Sequence, residues 1–100
     1  MSQLKKQIRN SFRKEVFTRD NYCCRVCGKP GVDVHHITNR NLMPNGGYVL
    51  QNGITLCSNC HILAEEHHVV GKGSNEYLPA KLYLLINSSY EEAYVLSKRK

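Results

Sequence analysis

The sequence predicts a small α+β domain: an antiparallel β-hairpin followed by a short helix, with one helix ahead of them and two behind. Three observations predict it. Two cysteine pairs, Cys24 with Cys27 and Cys57 with Cys60, each separated by two residues, bracket the middle of the chain. Between them, Val32 to Ile37 alternates as a strand does, and Ile54 to Cys57 is a second β-branched and apolar run. Outside the bracket the apolar spacing turns helical. With 100 residues and 11.4 kDa there is room for one core and no separate catalytic domain. The expected divisions are a basic N-terminal helix (1–20), a hairpin-and-helix core (21–70) and C-terminal helices (71–100).

Residues 2–17 read as a helix. Leu4, Ile8 and Phe12 form an apolar stripe, and Lys5, Arg9 and Arg13 form a basic stripe about 100° round the axis. In the first strand Val32, Val34 and His36 share one face and Asp33, His35 and Ile37 the other. Pro44, Asn45, Gly46 and Gly47 mark a turn in a long loop, after which the second run can pair back antiparallel. Ser58 is the expected N-cap of a helix through His61 to Glu66 that stops by Gly71. Pro79 suits a first helical turn, with Leu78, Leu82, Leu85 and Ile86 toward the core. Ser89 and Glu92 have capping-box spacing ahead of Ala93, Tyr94 and Leu96.

The formal charge of +6 and pI near 9.2 suit a polyanionic partner. Mean hydropathy is −0.46, and no apolar run approaches the roughly 18 residues of a spanning helix. Nor does an apolar stretch follow the early cations, so no secretory signal is visible and a cytoplasmic location is expected. All five cysteines and all five histidines lie between Cys23 and His68. An odd cysteine count in a reducing compartment points to metal instead of disulfides.

Two Cys-x-x-Cys knuckles can close a tetrahedral thiolate shell around Zn²⁺. Gly28 directly after Cys27 fits a knuckle turn with positive φ. A closed shell has no open coordination position, so this zinc is expected to be structural, replacing burial that so small a core cannot supply. Cys23 is expected to be a spare thiol. The 29 residues between the pairs exceed a simple ribbon and carry the histidine pair. His35 and His36 point to opposite faces of a strand, so one can hold a metal while the other addresses a substrate. His61, Glu65 and His68 fall on one helix stripe, with His67 turned away.

The segments RDNYCCRVCG (Arg19 to Gly28), VDVHHI (Val32 to Ile37) and NGITLCSNCH (Asn52 to His61) together resemble the HNH endonucleases of the ββα-metal superfamily. The resemblance implies a strand, loop, strand and helix forming the active site, braced by the four-cysteine zinc. It implies His36 as general base, His35 as a ligand of the catalytic metal, Asn52 as the residue that steadies the loop, and His61 as a second ligand. Many relatives carry another His four residues after the last one; here that position is Glu65. Either Glu65, which suits harder ions such as Mg²⁺ or Mn²⁺, or His68 one turn further can complete the set. Ni²⁺ is a further candidate ion.

The expected reaction is hydrolysis of a DNA phosphodiester, nicking or cutting both strands, with one divalent cation, leaving 5′-phosphate and 3′-hydroxyl ends. A histidine with an ordinary pKa near 6.5 can accept the proton of the attacking water at neutral pH. Arg40 is a candidate phosphate clamp. Lys5, Arg9, Arg13 and Arg19, and His68 if it does not ligate, are candidate backbone contacts; the tail at Lys98, Arg99 and Lys100 can touch a phosphate too, but a frayed basic end is the expected account. Phosphate contacts predict a steep fall of affinity with salt. A second copy or a companion protein can supply a second cut and selectivity, and the role is open among a phage or mobile-element nuclease, a restriction or defence component and a repair enzyme, with the small size leaning toward the first. The alternative is a non-catalytic zinc-ribbon nucleic-acid-binding module, which explains the cysteines and charge but not His35, His36, Asn52 and His61.

Overall fold

The computed structural model describes residues 2–69, 73 and 75–99; the expected helix stop at Gly71 and the contact at Lys100 lie outside the described residues. Helix α1 (Ser2–Arg19) leads into the first cysteine knuckle, then strand β1 (Asp33–His36), a loop of three short 3₁₀ turns, strand β2 (Gly53–Leu56) and helix α2 (Ser58–Val69). A 3₁₀ turn at Asn75–Tyr77, α3 (Pro79–Leu85) and α4 (Tyr90–Lys98) complete the chain. This is the strand, loop, strand and helix order of a ββα-metal finger, with helices on either side.

The strands pair antiparallel, Asp33 with Leu56, Val34 with Thr55, His35 with Ile54 and His36 with Gly53. This register assigns the faces. Gly53 and Thr55 turn to α1, where a Cβ on Gly53 would lie 2.6 Å from Val16 and 2.7 Å from Phe12. Ile54 and Leu56 turn to the other side and are fully buried with Ile37, Ala64, Leu82 and Tyr83. β2 is therefore covered on both faces, which is why its sequence does not alternate. His36, opposite Gly53, faces α1, and His35, opposite Ile54, faces α2.

Several expectations need correcting. The apolar stripe of α1 packs only at its C-terminal end: Phe12 and Val16 are buried, whereas Leu4 and Ile8 are 57% and 41% exposed because the first turns line an open groove instead of resting on the core. Ser58 is already inside α2. The capping position is Cys57, whose Sγ accepts from Cys60 N at 3.5 Å and whose carbonyl accepts from His61 N. In α3 Leu82 and Ile86 reach the core as expected, but Leu78 and Leu85 are exposed, and Tyr83 is buried in their stead. In α4 Ala93 is buried and Tyr94 exposed. Pro79 at the start of α3 and the Ser89 cap, which accepts from Glu92 N at 3.1 Å, follow the sequence expectation.

A buried ion pair ties the end of α1 to β2. Asp20, with no exposed side-chain surface, accepts both arms of Arg19 at 2.7 and 2.8 Å and Thr55 N at 2.9 Å. Burial works against the Asp20 charge, but Arg19 and the Thr55 amide outweigh it and hold its carboxyl below the usual range. Its contribution is thus present above the ordinary aspartate pKa and lost as pH falls through the lower folded value. Removing one partner of a buried pair strands the other, so Asp20→Ala is expected to cost about 3 kcal/mol in urea unfolding at neutral pH. A loss below about 1 kcal/mol, the scale of a surface pair, would show that the strut carries no load.

Candidate active site

The first knuckle is a tight turn, with Cys24 N donating to Lys29 O, Gly28 N to Cys24 O, and Gly28 at φ +81° as expected after Cys27. The second is the capped start of α2. Strand pairing brings the two together, so that the sulfurs of Cys24, Cys27, Cys57 and Cys60 all lie within 4.8 Å of one another. The Cys27 and Cys57 sulfurs are 3.6 Å apart. That is far too long for a disulfide and close to the edge of about 3.8 Å that a tetrahedron with 2.3 Å zinc–sulfur bonds requires. The cluster fits a structural zinc site. Tyr77 Oη donates to Cys60 Sγ at 3.3 Å, and burial pushes the Cys60 thiol up to about 12, so zinc binding there must expel a proton. Cys23 stands apart, its Sγ 3.3 Å from Asn21 O.

On the α2 side of the hairpin three imidazoles converge on one carboxylate. Glu65 Oε1 lies 3.2 Å from His35 Nδ1 and 3.1 Å from His61 Nε2, and Oε2 lies 3.5 Å from His68 Nδ1. Donor atoms of His35, Glu65 and His68 all fall within 4.8 Å of one another; His61 reaches Glu65 but lies outside that group. The His35–Glu65 gap of 3.2 Å falls among the edges of about 3.0 to 3.4 Å expected between donors some 2.1 Å from a shared cation, and the His68–Glu65 gap of 3.5 Å lies just beyond them. The protons also favour a cation. His68 Nε2 is 3.1 Å from Ile37 O, a carbonyl that can only accept, so in the neutral ring the proton sits on Nε2 and the Nδ1 lone pair faces Glu65. Two lone pairs facing each other repel unless positive charge, either a cation or a second proton on the ring, lies between them. Burial, then the His68 charge, hold His35 down to about 3, so at neutral pH the ring is uncharged and keeps one nitrogen with a free lone pair. Burial opposes the Glu65 charge, but the three imidazoles outweigh it and keep the carboxyl below its ordinary range. Asp33 Oδ2, 3.2 Å from His61 Nδ1, anchors His61 from outside.

His36 sits on the opposite face of β1. Its ring stacks on Phe12 at 4.7 Å and meets Tyr48 edge-on at 4.9 Å, and its Nε2 is buried with no hydrogen-bond partner. Burial, then the charges of Arg40 and His68, hold it down to about 4, with Glu65 pulling the other way. Beyond Phe12 and Tyr48 opens a groove of about 890 Å³ between α1 and the loop, lined by Leu4, Lys5, Ile8, Arg9, Arg40 and Tyr48. Arg40 is exposed and 3.4 Å from Tyr48 Oη. The other predicted phosphate contacts are elsewhere. Arg13 lies over the Phe17 ring, and His68 is turned inward. Arg19 is committed to Asp20 and to the carbonyls of Leu50 and Gly53.

Asn52 is fully buried just before β2. Its backbone carbonyl accepts from Ile37 N at 2.8 Å, and its side chain bonds Thr38 at both N and O. The two residues after His36 are thus clamped. Gly47, at φ +66°, lets the loop press against the same amide, since a Cβ there would come 2.6 Å from Asn52 Nδ2.

Phe12, Tyr48 and Tyr83 were not foreseen at this site, and no local pattern marks them. Asp33 was within reach, because it stands two residues before His35 on the same strand face. Residues 24–66 match the family model described as HNH endonuclease. No curated protein and no solved structure matches the chain.

Proposed function

From the HNH endonuclease segment that the chain carries at residues 24–66, and its nuclease architecture of four-cysteine and His/Glu/His clusters, we propose a metal-dependent endonuclease that hydrolyses DNA phosphodiester bonds. One observation carries this reading. A single short strand gives His35 to the three-donor cluster and sets His36 on its other face against Phe12 and Tyr48, which line the groove that carries Lys5, Arg9 and Arg40.

His36 takes the proton of the attacking water. Its Nε2 is enclosed, so Nδ1 is the nitrogen left to receive it. The ring is uncharged at neutral pH, and a phosphate entering beside Arg40 brings negative charge that raises its basicity. Asn52 holds the backbone on the far side of His36 and so aims the ring. Arg40 clamps the phosphate, with Lys5 and Arg9 binding the backbone further along the groove. His35, Glu65 and His68 would hold a divalent cation, which would supply Lewis acidity against the charge that gathers on the phosphate and the departing 3′ oxygen. His61, fixed by Asp33, steadies Glu65. The products carry 5′-phosphate and 3′-hydroxyl ends.

The test is incubation of supercoiled plasmid with Mg²⁺, Mn²⁺ or Ni²⁺, with and without chelator. Nicked or linear product that requires the metal supports the reading; binding without cutting in any metal leaves a nucleic-acid-binding module. The ligand set has its own check, Mn²⁺ titration of zinc-loaded protein followed by electron paramagnetic resonance. His68→Ala is expected to weaken Mn²⁺ binding by about tenfold or more. If His61→Ala does so and His68→Ala does not, the assignment of the two histidines is reversed.

A further inference from the structure

The side-chain amide of Asn52 has four hydrogen-bonding positions, and the protein fills all four. Nδ2 donates to Thr38 O and Gly47 O, each at 3.2 Å; Oδ1 accepts from Thr38 N at 3.0 Å and from Tyr83 Oη at 2.7 Å. Three of these bonds go to the loop that Asn52 holds. The fourth comes from α3, outside the HNH segment. An amide oxygen can only accept, so the phenol commits its one proton there. The Thr38 hydroxyl, 2.6 Å from Tyr83 Oη, must then donate to the phenol. The order Thr38 to Tyr83 to Asn52 is thereby set. Tyr83 itself is buried, with 3% of its surface exposed.

We propose that Tyr83 is a positioning residue of the nuclease, holding through Asn52 and Thr38 the backbone that aims His36. The inference rests on the nuclease reading of His36 given above. Without the phenol, Asn52 Oδ1 keeps one partner of two and the Thr38 hydroxyl loses its acceptor. The clamp on residues 37 and 38 then loosens, one residue away from the ring that receives the proton. Neither metal cluster includes Tyr83, and the basic groove does not either, so metal and DNA binding are expected to stay as they are.

The experiment compares Tyr83→Phe with wild type in steady-state nicking of a defined duplex at saturating Mn²⁺. The exposed Tyr94→Phe is the control. The expected result is kcat lower by about tenfold or more with KM unchanged, the loss seen for misplaced catalytic groups. In an Asn52→Ala background Tyr83→Phe is expected to have no further effect, because it acts through that amide. Wild-type kcat in a folded Tyr83→Phe protein, or a loss fully additive to that of Asn52→Ala, overturns the proposal. If Tyr83→Phe does not fold, Thr38→Val cuts the same chain from its outer end and is judged by the same split between kcat and KM. Hydrogen exchange gives a readout independent of cutting. The Thr38 amide, bonded to Asn52 Oδ1, is expected to exchange about tenfold faster or more in Tyr83→Phe. If the wild type cuts no DNA in any metal, the nuclease reading falls, whereas unchanged Thr38 exchange overturns the Tyr83 link by itself.

Discussion

Replacing His36 with alanine is expected to slow strand cleavage by about 10²- to 10⁴-fold, the usual contribution of a positioned general base. Binding of Mn²⁺ and of DNA is expected to survive. His36 belongs to neither cluster of metal donors, and the cations of the groove come from Lys5, Arg9 and Arg40. Asn52 anchors residues 37 and 38 through their backbone, so the loop keeps its path when the ring is removed. The loss of stacking on Phe12 and Tyr48 costs stability, and circular dichroism at the assay temperature separates that cost from the loss of rate. A folded His36→Ala protein that still nicks at close to the wild-type rate removes the base from this ring.

The second large effect is loss of the fold when the four-cysteine site is emptied. Binding of structural zinc by small domains is worth about 10 to 16 kcal/mol at neutral pH, comparable with or larger than the about 5 to 15 kcal/mol by which whole domains are stable. Here Cys24 and Cys60 are themselves part of the apolar core that includes Leu56, Tyr77 and Tyr83. A thiolate left there without metal is an unpaired buried charge, and a thiol leaves the two knuckles untied. Stripping zinc with a strong chelator, or Cys60→Ala, is therefore expected to abolish the cooperative thermal transition, with one zinc released per chain in a colorimetric assay. A chain that keeps a sharp melt after the metal is gone has a core that does not need it.

Much of the site was legible because strand alternation and Cys-x-x-Cys spacing are local rules. His35 and His36 had to diverge, and they do, one toward Glu65 and one toward Phe12. Gly28 had to permit positive φ, and it does. The stripe of His61, Glu65 and His68 followed from helical periodicity. Its limits are as informative. Periodicity places both histidines beside Glu65 without saying which lies within donor reach of His35. That depends on the tilt of α2 against the hairpin, which brings His68 under the Ile37 carbonyl and leaves His61 bound to Asp33.

Arg19 shows the same boundary from the other side. In the sequence it is one more cation of a basic stretch, equal to Arg9. In the folded chain α1 ends against β2, so its guanidinium meets Asp20 and two carbonyls from the far end of the long loop. A cation's identity as clamp or strut is not encoded near it. It depends on which distant backbone arrives there.

The chemical inventory and the divergence of the two strand histidines were therefore present in the chain order itself, because bond geometry and side-chain alternation act over a few residues. Folding alone settled which donors cluster with His35, which arginines reach the groove, and that a tyrosine from α3 completes the seat of Asn52. Those outcomes depend on packing between segments thirty or more residues apart, as in Tyr83 on Asn52 and Arg19 on Gly53, where no short-range pattern carries the information.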